Sequence, residues 1–490
     1  MKVLIMGFGL HGGGLETAKY LLKHGADLTV TDLRDEKTLS PSINELETAC
    51  NEEGCRFHVR YVLGRHEYED FKNADMVIKN PAVRPDSPYL KAASFPHEVK
   101  ALVETDISLF LSAIYEKKLN IRLTAVTGSK GKSGTASAIH FVLSQLKKNQ
   151  GSYLGGNITK SPLSFLDKLK PYDDAVLELS SWQLRDLKDR ITLDGKSFLL
   201  KPKAAVLTAI FPDHQDYYNS MEAYINDKKI ICQGQNADDF IIAQNDSWGN
   251  IFISESKARP LAYSDSRLPE GVFGGWLEGA SDPGFIRLFD GSVAELVPAK
   301  PLILGTHQKK NLLAAGLALY SLGFPIAGIK EALGSFPGIP HRMEMFHKSR
   351  GLSFYNDSAA TIPEAAAASI SALCETNGGN LILVTGGTDK NLDFSALAKA
   401  ASTAKKIILL TGSASDKLSA LFKDAGVDFS GPYNQIESAA KKAIEAAAAG
   451  DCIILSPGCA SFGMFLNEFD RGNKWKEAVL GLENNGFRII

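Results

Sequence analysis

Residues 127–133 read TGSKGKS, between the apolar run IRLTAV and the amphipathic stretch GTASAIHFVLSQL. In such a loop the backbone N–H groups of Gly128, Ser129, Lys130, Gly131 and Lys132 can curl around phosphate oxygens. The Lys132 ammonium can neutralise β- and γ-phosphates, and the Ser133 hydroxyl can reach a Mg2+ bound to them. The usual loop of this kind runs Gly-x-x-x-x-Gly-Lys. Here Val126 stands where its first glycine belongs, so the cradle is short. A strand pattern before it and a helix pattern after it still favour an ATP-type phosphate site over a plain glycine turn.

Two downstream segments could complete such a site. Glu178 closes the apolar run DAVLE, where an unpaired carboxylate would be costly. It is therefore a Mg2+ ligand candidate, the alternative being a strand-end acid in solvent. His214 in FPDHQDYY is a second candidate, although a lone His is more often a satisfied polar residue. At the start of the chain Gly7, Gly9 and Gly12 form Gly-x-Gly-x-x-Gly after KVLIM, and Asp32 ends the next strand pattern where a ribose-binding acid is expected. An NAD site is one reading, a nucleotide diphosphate at a helix N-terminus a second, and a tight turn with close helix packing the plainest.

Bulk properties narrow the partners. The 490 residues exceed one compact core and suggest about three domains. Lys plus Arg (54) nearly balances Asp plus Glu (56), so no overall charge favours nucleic acid or an anionic membrane. The cysteines at 50, 55, 232, 374, 452 and 459 lack metal spacing and read as reduced thiols. No run approaches the roughly 20 apolar residues of a membrane span, and the start has no signal-peptide pattern. A cytoplasmic protein without membrane insertion is expected.

The elements that must position these residues fall into three blocks. The first is β-α-β: KVLIMGF, then LETAKYLLKHG, then DLTVTD. The second follows DISLFLSAIYEKK and contains the phosphate loop with the buried-strand runs DAVLELSSW and KAAVLTAIF. In the third, strands LSFYND, NLILVTGG, KIILLTG and DCIILSPG alternate with helical PEAAAASISAL, FSALAKAAST and the Ala-rich stretch 436–449. Such alternation implies parallel sheets covered on both faces.

The motifs TGSKGKS, LELSSWQL, DHQDYY with YINDKK, LGTHQKKN, GIPHRMEMF, YNDSAAT, TGGTDK and LSPGCASFGMF with FDRGN follow one another as in the Mur ligases of peptidoglycan synthesis. The chain resembles that family through all three blocks, and most of all its D-glutamate-adding members. The resemblance implies an α/β fold of three domains. Residues 1–105 are then a Rossmann-like UDP-substrate domain, 106–341 a central P-loop ATPase domain with a mostly parallel sheet, and 342–490 a doubly wound amino-acid domain. Substrates are expected where domains meet, with the third domain closing on ATP.

The implied activity is ATP-dependent amide formation. The carboxylate of UDP-N-acetylmuramoyl-L-alanine attacks the γ-phosphate, ADP leaves, and the amine of D-glutamate displaces phosphate from the acyl phosphate. The family uses the shortened loop for ATP, and its first domain holds UDP rather than NAD. Gly9, Gly12, Asp32 and Arg34 would then surround the uridine and diphosphate, with Asn157 and Ser180 near the rest of that substrate. Lys132, Ser133, Glu178 and His214 match the family's phosphate and Mg2+ residues. Lys228 matches a lysine that becomes a carbamate and binds the second of two Mg2+ ions, with Lys229 leaving the register open by one. A carbamate needs a neutral amine, hence a depressed pKa.

By the same likeness Gln308 and Asn311 lie beside adenine, Gln308 replacing the usual Asn. Arg342 reaches the γ-phosphate, a hinge salt bridge being its alternative, and Asp357 meets the ATP ribose. Lys390, Ser461 and Thr361 would hold the amino acid, with the family's phenylalanine at either Glu468 or Phe469. Ala359 departs from the lysine usual in NDSKAT and weakens the case for a dicarboxylic acid. D-glutamate is expected, as is a monomer. The alternatives are a Mur-type ligase for another amino acid, a nucleotide-dependent oxidoreductase using the first glycine turn, and a non-catalytic relative.

Overall fold

The structure, a computed structural model, describes residues 1–9, 12–53, 59–93, 102–147, 149–158, 160–192, 195, 197–213, 217–279, 282–303 and 305–484. Three sheets carry it. In the first, all strands run parallel, in the order Val59–Leu63, Asp27–Asp32, Lys2–Met6, Met76–Lys79, Leu102–Glu104. Val3, Leu4 and Ile5 are buried, as a strand between helical layers requires. Strand order reverses on either side of Lys2–Met6, which opens a crevice at its carboxyl end.

The second sheet has nine strands. Within it Arg122–Thr127, third from one edge, is flanked in parallel by Asp174–Glu178 and Ala204–Leu207. These are the apolar runs legible in the sequence. One margin was not anticipated: short strands Gly274–Leu277, Gly284–Arg287 and Val293–Val297 pair antiparallel. The third sheet is ordered Glu344–Ser349, Leu352–Asn356, Cys452–Leu455, Leu381–Gly386, Lys406–Leu410, Phe429–Tyr433, parallel except at its first pair.

The Ala-rich helix is shorter than expected. It spans Ile436–Glu445, because the chain must turn at once into the strand Cys452–Leu455. Asp451 closes that turn, accepting from Ala448 N at 2.8 Å and donating its own N–H to Ala448 O at 2.9 Å, while Gly450 takes φ 98°.

The chain forms two compact units: Met1–Ala299 with Lys310–Leu333, and Lys300–Lys309 with Gly334–Ile490. The first holds the first two sheets, the second the third. Among the described residues no helix is long and apolar enough to cross a membrane, and Cys50, Cys232, Cys374, Cys452 and Cys459 are free thiols. Cys55 lies outside the described residues.

Candidate active site

Val126 is no defect in the phosphate loop. It is fully buried in the strand Arg122–Thr127 and pairs with Glu178 on one side and Val206 on the other, so the loop begins only at Gly128. Gly128 has φ 148°, and a Cβ there would stand 2.0 Å from Thr208 Oγ1. Gly131, at φ 93°, caps the helix Lys132–Leu146. The Asn311 amide presses against Gly131, within 2.4 Å of where a Cβ would sit.

The expected cradle needs a correction. Ser129 N and Lys130 N both donate to Ala209 O, at 2.8 and 3.3 Å. The Ser129 hydroxyl also faces inward, bonded to Phe211 O at 2.8 Å and to Tyr224 OH at 3.0 Å. These groups brace the loop against the segment after Ala204–Leu207. Gly131, Lys132 and Ser133 stand at the start of the helix Lys132–Leu146.

Two lysines converge on one carbonyl. Gly128 O accepts from Lys132 Nζ and from Lys228 Nζ, each at 2.9 Å. Lys228 lies on the helix Met221–Gln233 and is 1 % exposed. Burial, and then the nearby Lys132 ammonium, push its pKa down to about 7, against the partial pull of Asp213, Asp227 and Glu178. Lys229 points elsewhere, to Glu255 at 2.7 Å. The side chain beneath the loop is therefore Lys228.

Glu178 is buried at the end of its strand, with Oε1 accepting from Asn157 Nδ2 at 2.9 Å. Its Oε2 is buried without a hydrogen-bond partner among the described residues. An orphaned carboxylate oxygen of this kind suits a hard cation. No group of three or more His, Cys, Asp or Glu gathers as a metal site among the described residues. His214 lies outside the described residues.

At the first glycine turn, Asp32 accepts from Gly9 N at 3.1 Å through Oδ2 and from Arg34 N at 2.9 Å through Oδ1. Gly7, Gly9 and Gly12 all have positive φ. Close helix packing, though, belongs to Gly14, whose Cβ would lie 2.2 Å from Phe8 O. At the sheet's switch point a cavity of about 180 Å3 is lined by Gly7, Asn80, Asp106, Asn157 and Gln183, among others. Asp106, which the sequence reading missed, is buried, and that burial raises its pKa. Ser180 is spoken for: it caps the helix Ser181–Arg185 in a reciprocal box with Gln183.

In the second unit Asp357 is 4 % exposed and makes internal contacts. It accepts from Met343 N at 3.1 Å and from Ser456 Oγ at 2.7 Å, and burial raises its pKa to about 6. It thereby fixes the turn that presents exposed Arg342, whose neighbours His341 and Met343 have φ 65° and 47°. Arg342 makes no salt bridge among the described residues of its unit. Gln308 is half-buried near the start of the helix Thr306–Ser321.

Thr388 and Ala460 exchange backbone hydrogen bonds at 3.0 Å, which brings the Lys390 loop beside Ser461. Lys390 is exposed, its Nζ 6.0 Å from the Phe462 ring centre, whereas Ser461 is buried. Phe469 packs edge-on against His341 at 5.3 Å, and the Glu468 carbonyl accepts from Ser358 Oγ. Thr361 N donates to Ala359 O at 3.0 Å. Arg471, quoted in FDRGN but assigned no role, is fully buried and donates to Ser358 O, Ser358 Oγ and Cys459 O at 2.8–3.1 Å.

Comparison with known proteins accounts for this layout. Residues 1–99 match the N-terminal domain of MurD-like Mur ligases, 126–319 the Mur ligase middle domain, and 341–459 the Mur glutamate ligase domain. The UDP-N-acetylmuramoylalanine--D-glutamate ligase of Borreliella afzelii is 37 % identical over 483 residues, covering 98 % of this chain and 97 % of its own. That of Treponema pallidum is 35 % identical, with 97 % of each chain covered. Among solved structures, UDP-N-acetylmuramate-alanine ligase MurC from Thermotoga maritima shares the fold at 18 % identity and TM-score 0.56, with 98 % of this chain and 99 % of that one covered. This chain belongs to the Mur ligase family.

Proposed function

We propose that this protein is an ATP-dependent ligase of peptidoglycan synthesis that joins D-glutamate to UDP-N-acetylmuramoyl-L-alanine. The observation that carries the reading is the convergence of Lys132 and Lys228 on Gly128 O, with the orphaned Glu178 oxygen within electrostatic reach of Lys228. Two ammonium groups so close repel each other unless an anion joins them. ATP phosphates supply one such anion.

The reaction brings a carboxylate, a triphosphate and a second carboxylate-bearing substrate together. Lys132 and the N–H groups at the start of its helix stabilise the charge on the transferred phosphoryl group. Glu178 and Ser133, with His214, would hold Mg2+, which when bound offsets the same negative charge. Lys228, held neutral for part of the time at physiological pH, is the amine suited to take up CO2 as a carbamate, which would turn one of two repelling cations into an anion. Asn157 fixes the orientation of Glu178 and lines the cavity assigned to the UDP-linked substrate. Arg342, Gln308 and Asn311 are assigned to ATP, and Lys390, Ser461, Thr361 and Phe469 to D-glutamate.

Phosphate release with Mg-ATP and UDP-N-acetylmuramoyl-L-alanine, tested with one amino acid at a time, decides this reading. D-glutamate alone should support turnover. Release with another amino acid only would keep the ligase and replace its substrate, with Ala359 the first residue to examine. No release with any amino acid would favour a non-catalytic relative.

A further inference from the structure

A row of aromatic rings runs through the first unit to the phosphate loop. Tyr217 packs on Tyr218 with ring centres 5.0 Å apart, and Tyr218 on Tyr224 at 5.2 Å. The far end meets the loop twice: Tyr224 OH lies 3.0 Å from Ser129 Oγ, and Lys228 Nζ lies 4.5 Å from the centre of the Tyr224 ring. In the middle, Tyr218 OH donates to Asp227 Oδ2 at 2.9 Å, tying the row to the residue before Lys228. Tyr218 and Tyr224 are buried, so neither ring can shift without moving its neighbours.

The near end is held by charge. The guanidinium carbons of Arg84 and Arg185 each lie 5.0 Å from the Tyr217 ring centre. Arg185 ends the helix that follows Glu178. Arg84 comes from the first sheet's side of the unit, just beyond the strand Met76–Lys79 and the cavity-lining Asn80. It is half-exposed, pairs with Asp86 at 3.2 Å, and grips the ring that leads to the loop and to Lys228.

We propose that Arg84 and Tyr217 are positioning residues for phosphoryl transfer, anchoring a Tyr217–Tyr218–Tyr224 row that holds Lys228 and Ser129 in register with the loop and ties that register to the segment after the first sheet's Met76–Lys79 strand, beside the cavity-lining Asn80. The inference rests on Lys228 acting in the reaction. It assigns the near end to cation–π contact, which needs the ring of Tyr217 and not its hydroxyl. Loss of either partner frees the same row, so the two losses should not add.

The test is phosphate release by Arg84→Ala, Tyr217→Leu, Tyr217→Phe and the double variant Arg84→Ala/Tyr217→Leu, with Lys228→Ala as reference. Arg84→Ala should lower kcat by about two- to fivefold, the range of one exposed cation–π contact, and Tyr217→Leu, which also loses Arg185, by at least as much. KM for the UDP-linked substrate should stay within about twofold. Tyr217→Phe should keep nearly full kcat, and the double variant should be no slower than the slower single one. A raised KM with kcat intact in Arg84→Ala would make Arg84 a substrate contact and overturn the proposal. Multiplying defects in the double variant, or a Phe variant as slow as Leu, would overturn it as well. Unchanged turnover in both single variants while Lys228→Ala is inactive would refute the row alone; an active Lys228→Ala would refute the reading beneath it.

Discussion

The chemistry of the site turns on which of two adjacent lysines is desolvated. Lys228 sits on Gly128 O beside Lys132, and Lys229 pairs with Glu255 at the surface. Lys228→Ala should therefore cut phosphate release by at least about a hundredfold, as loss of a charge-stabilising group does, while Lys229→Ala stays near wild type. With the Lys228 pKa lowered to about 7, the neutral amine falls roughly tenfold per pH unit below that value. Turnover measured from pH 5.5 to 8.5 should accordingly fall on the acid side with an apparent pKa near 7, and added bicarbonate should restore part of the loss. Asp357 gives the opposite kind of dependence. Its folded pKa of about 6 lies above the unfolded value of 3.8, so the stability it contributes is present below 3.8 and lost as pH rises through 6. The loss amounts to no more than about 3 kcal/mol. Urea unfolding of wild type and Asp357→Asn should show their stability difference changing between pH 4 and 6 and levelling off above.

Among the elements, short segments with fixed ends do the positioning. Strand Asp174–Glu178 delivers its carboxylate opposite Val126, and the helix Ser181–Arg185 begins three residues later under the Ser180 cap. Ser180→Ala removes that cap and should cost about 1 kcal/mol of stability by urea unfolding. If the hydroxyl serves only the cap, KM for the UDP-linked substrate will not move. The loop itself depends on Gly128, whose missing Cβ makes room for Thr208. Gly128→Ala should lose about 2 kcal/mol or more through the clash and the positive φ, and phosphate release should drop with it. The strands and the loop were legible because apolar runs ending in glycine are local signals. The antiparallel margin of Gly274–Leu277, Gly284–Arg287 and Val293–Val297 was not, since strands of four or five residues are too short to show a clear period.

At the scale of the whole molecule, two compact units predict more than one unfolding step for this chain. Heat or urea should produce two transitions, Ser180→Ala shifting the one that belongs to the first unit and Asp357→Asn the other. Trp475, fully buried with its indole N–H on Tyr355 O at 3.0 Å, reports on the second. The sequence by itself determined the order of motifs, the parallel α/β sheets, the start of the phosphate loop at a strand end, and Glu178 as a carboxylate too deep in an apolar run to be idle. Each of these is written in neighbouring residues, through periodicity, glycine placement or a charge within an apolar stretch. Only the tertiary structure decided that Lys228 rather than Lys229 faces the loop, that Ser129 and Lys130 turn their donors to Ala209, that Asp357 braces a turn from within, and that Arg84 grips Tyr217. Those outcomes depend on partners distant in the chain, whose approach sets burial and hydrogen bonding and leaves no local periodicity to read.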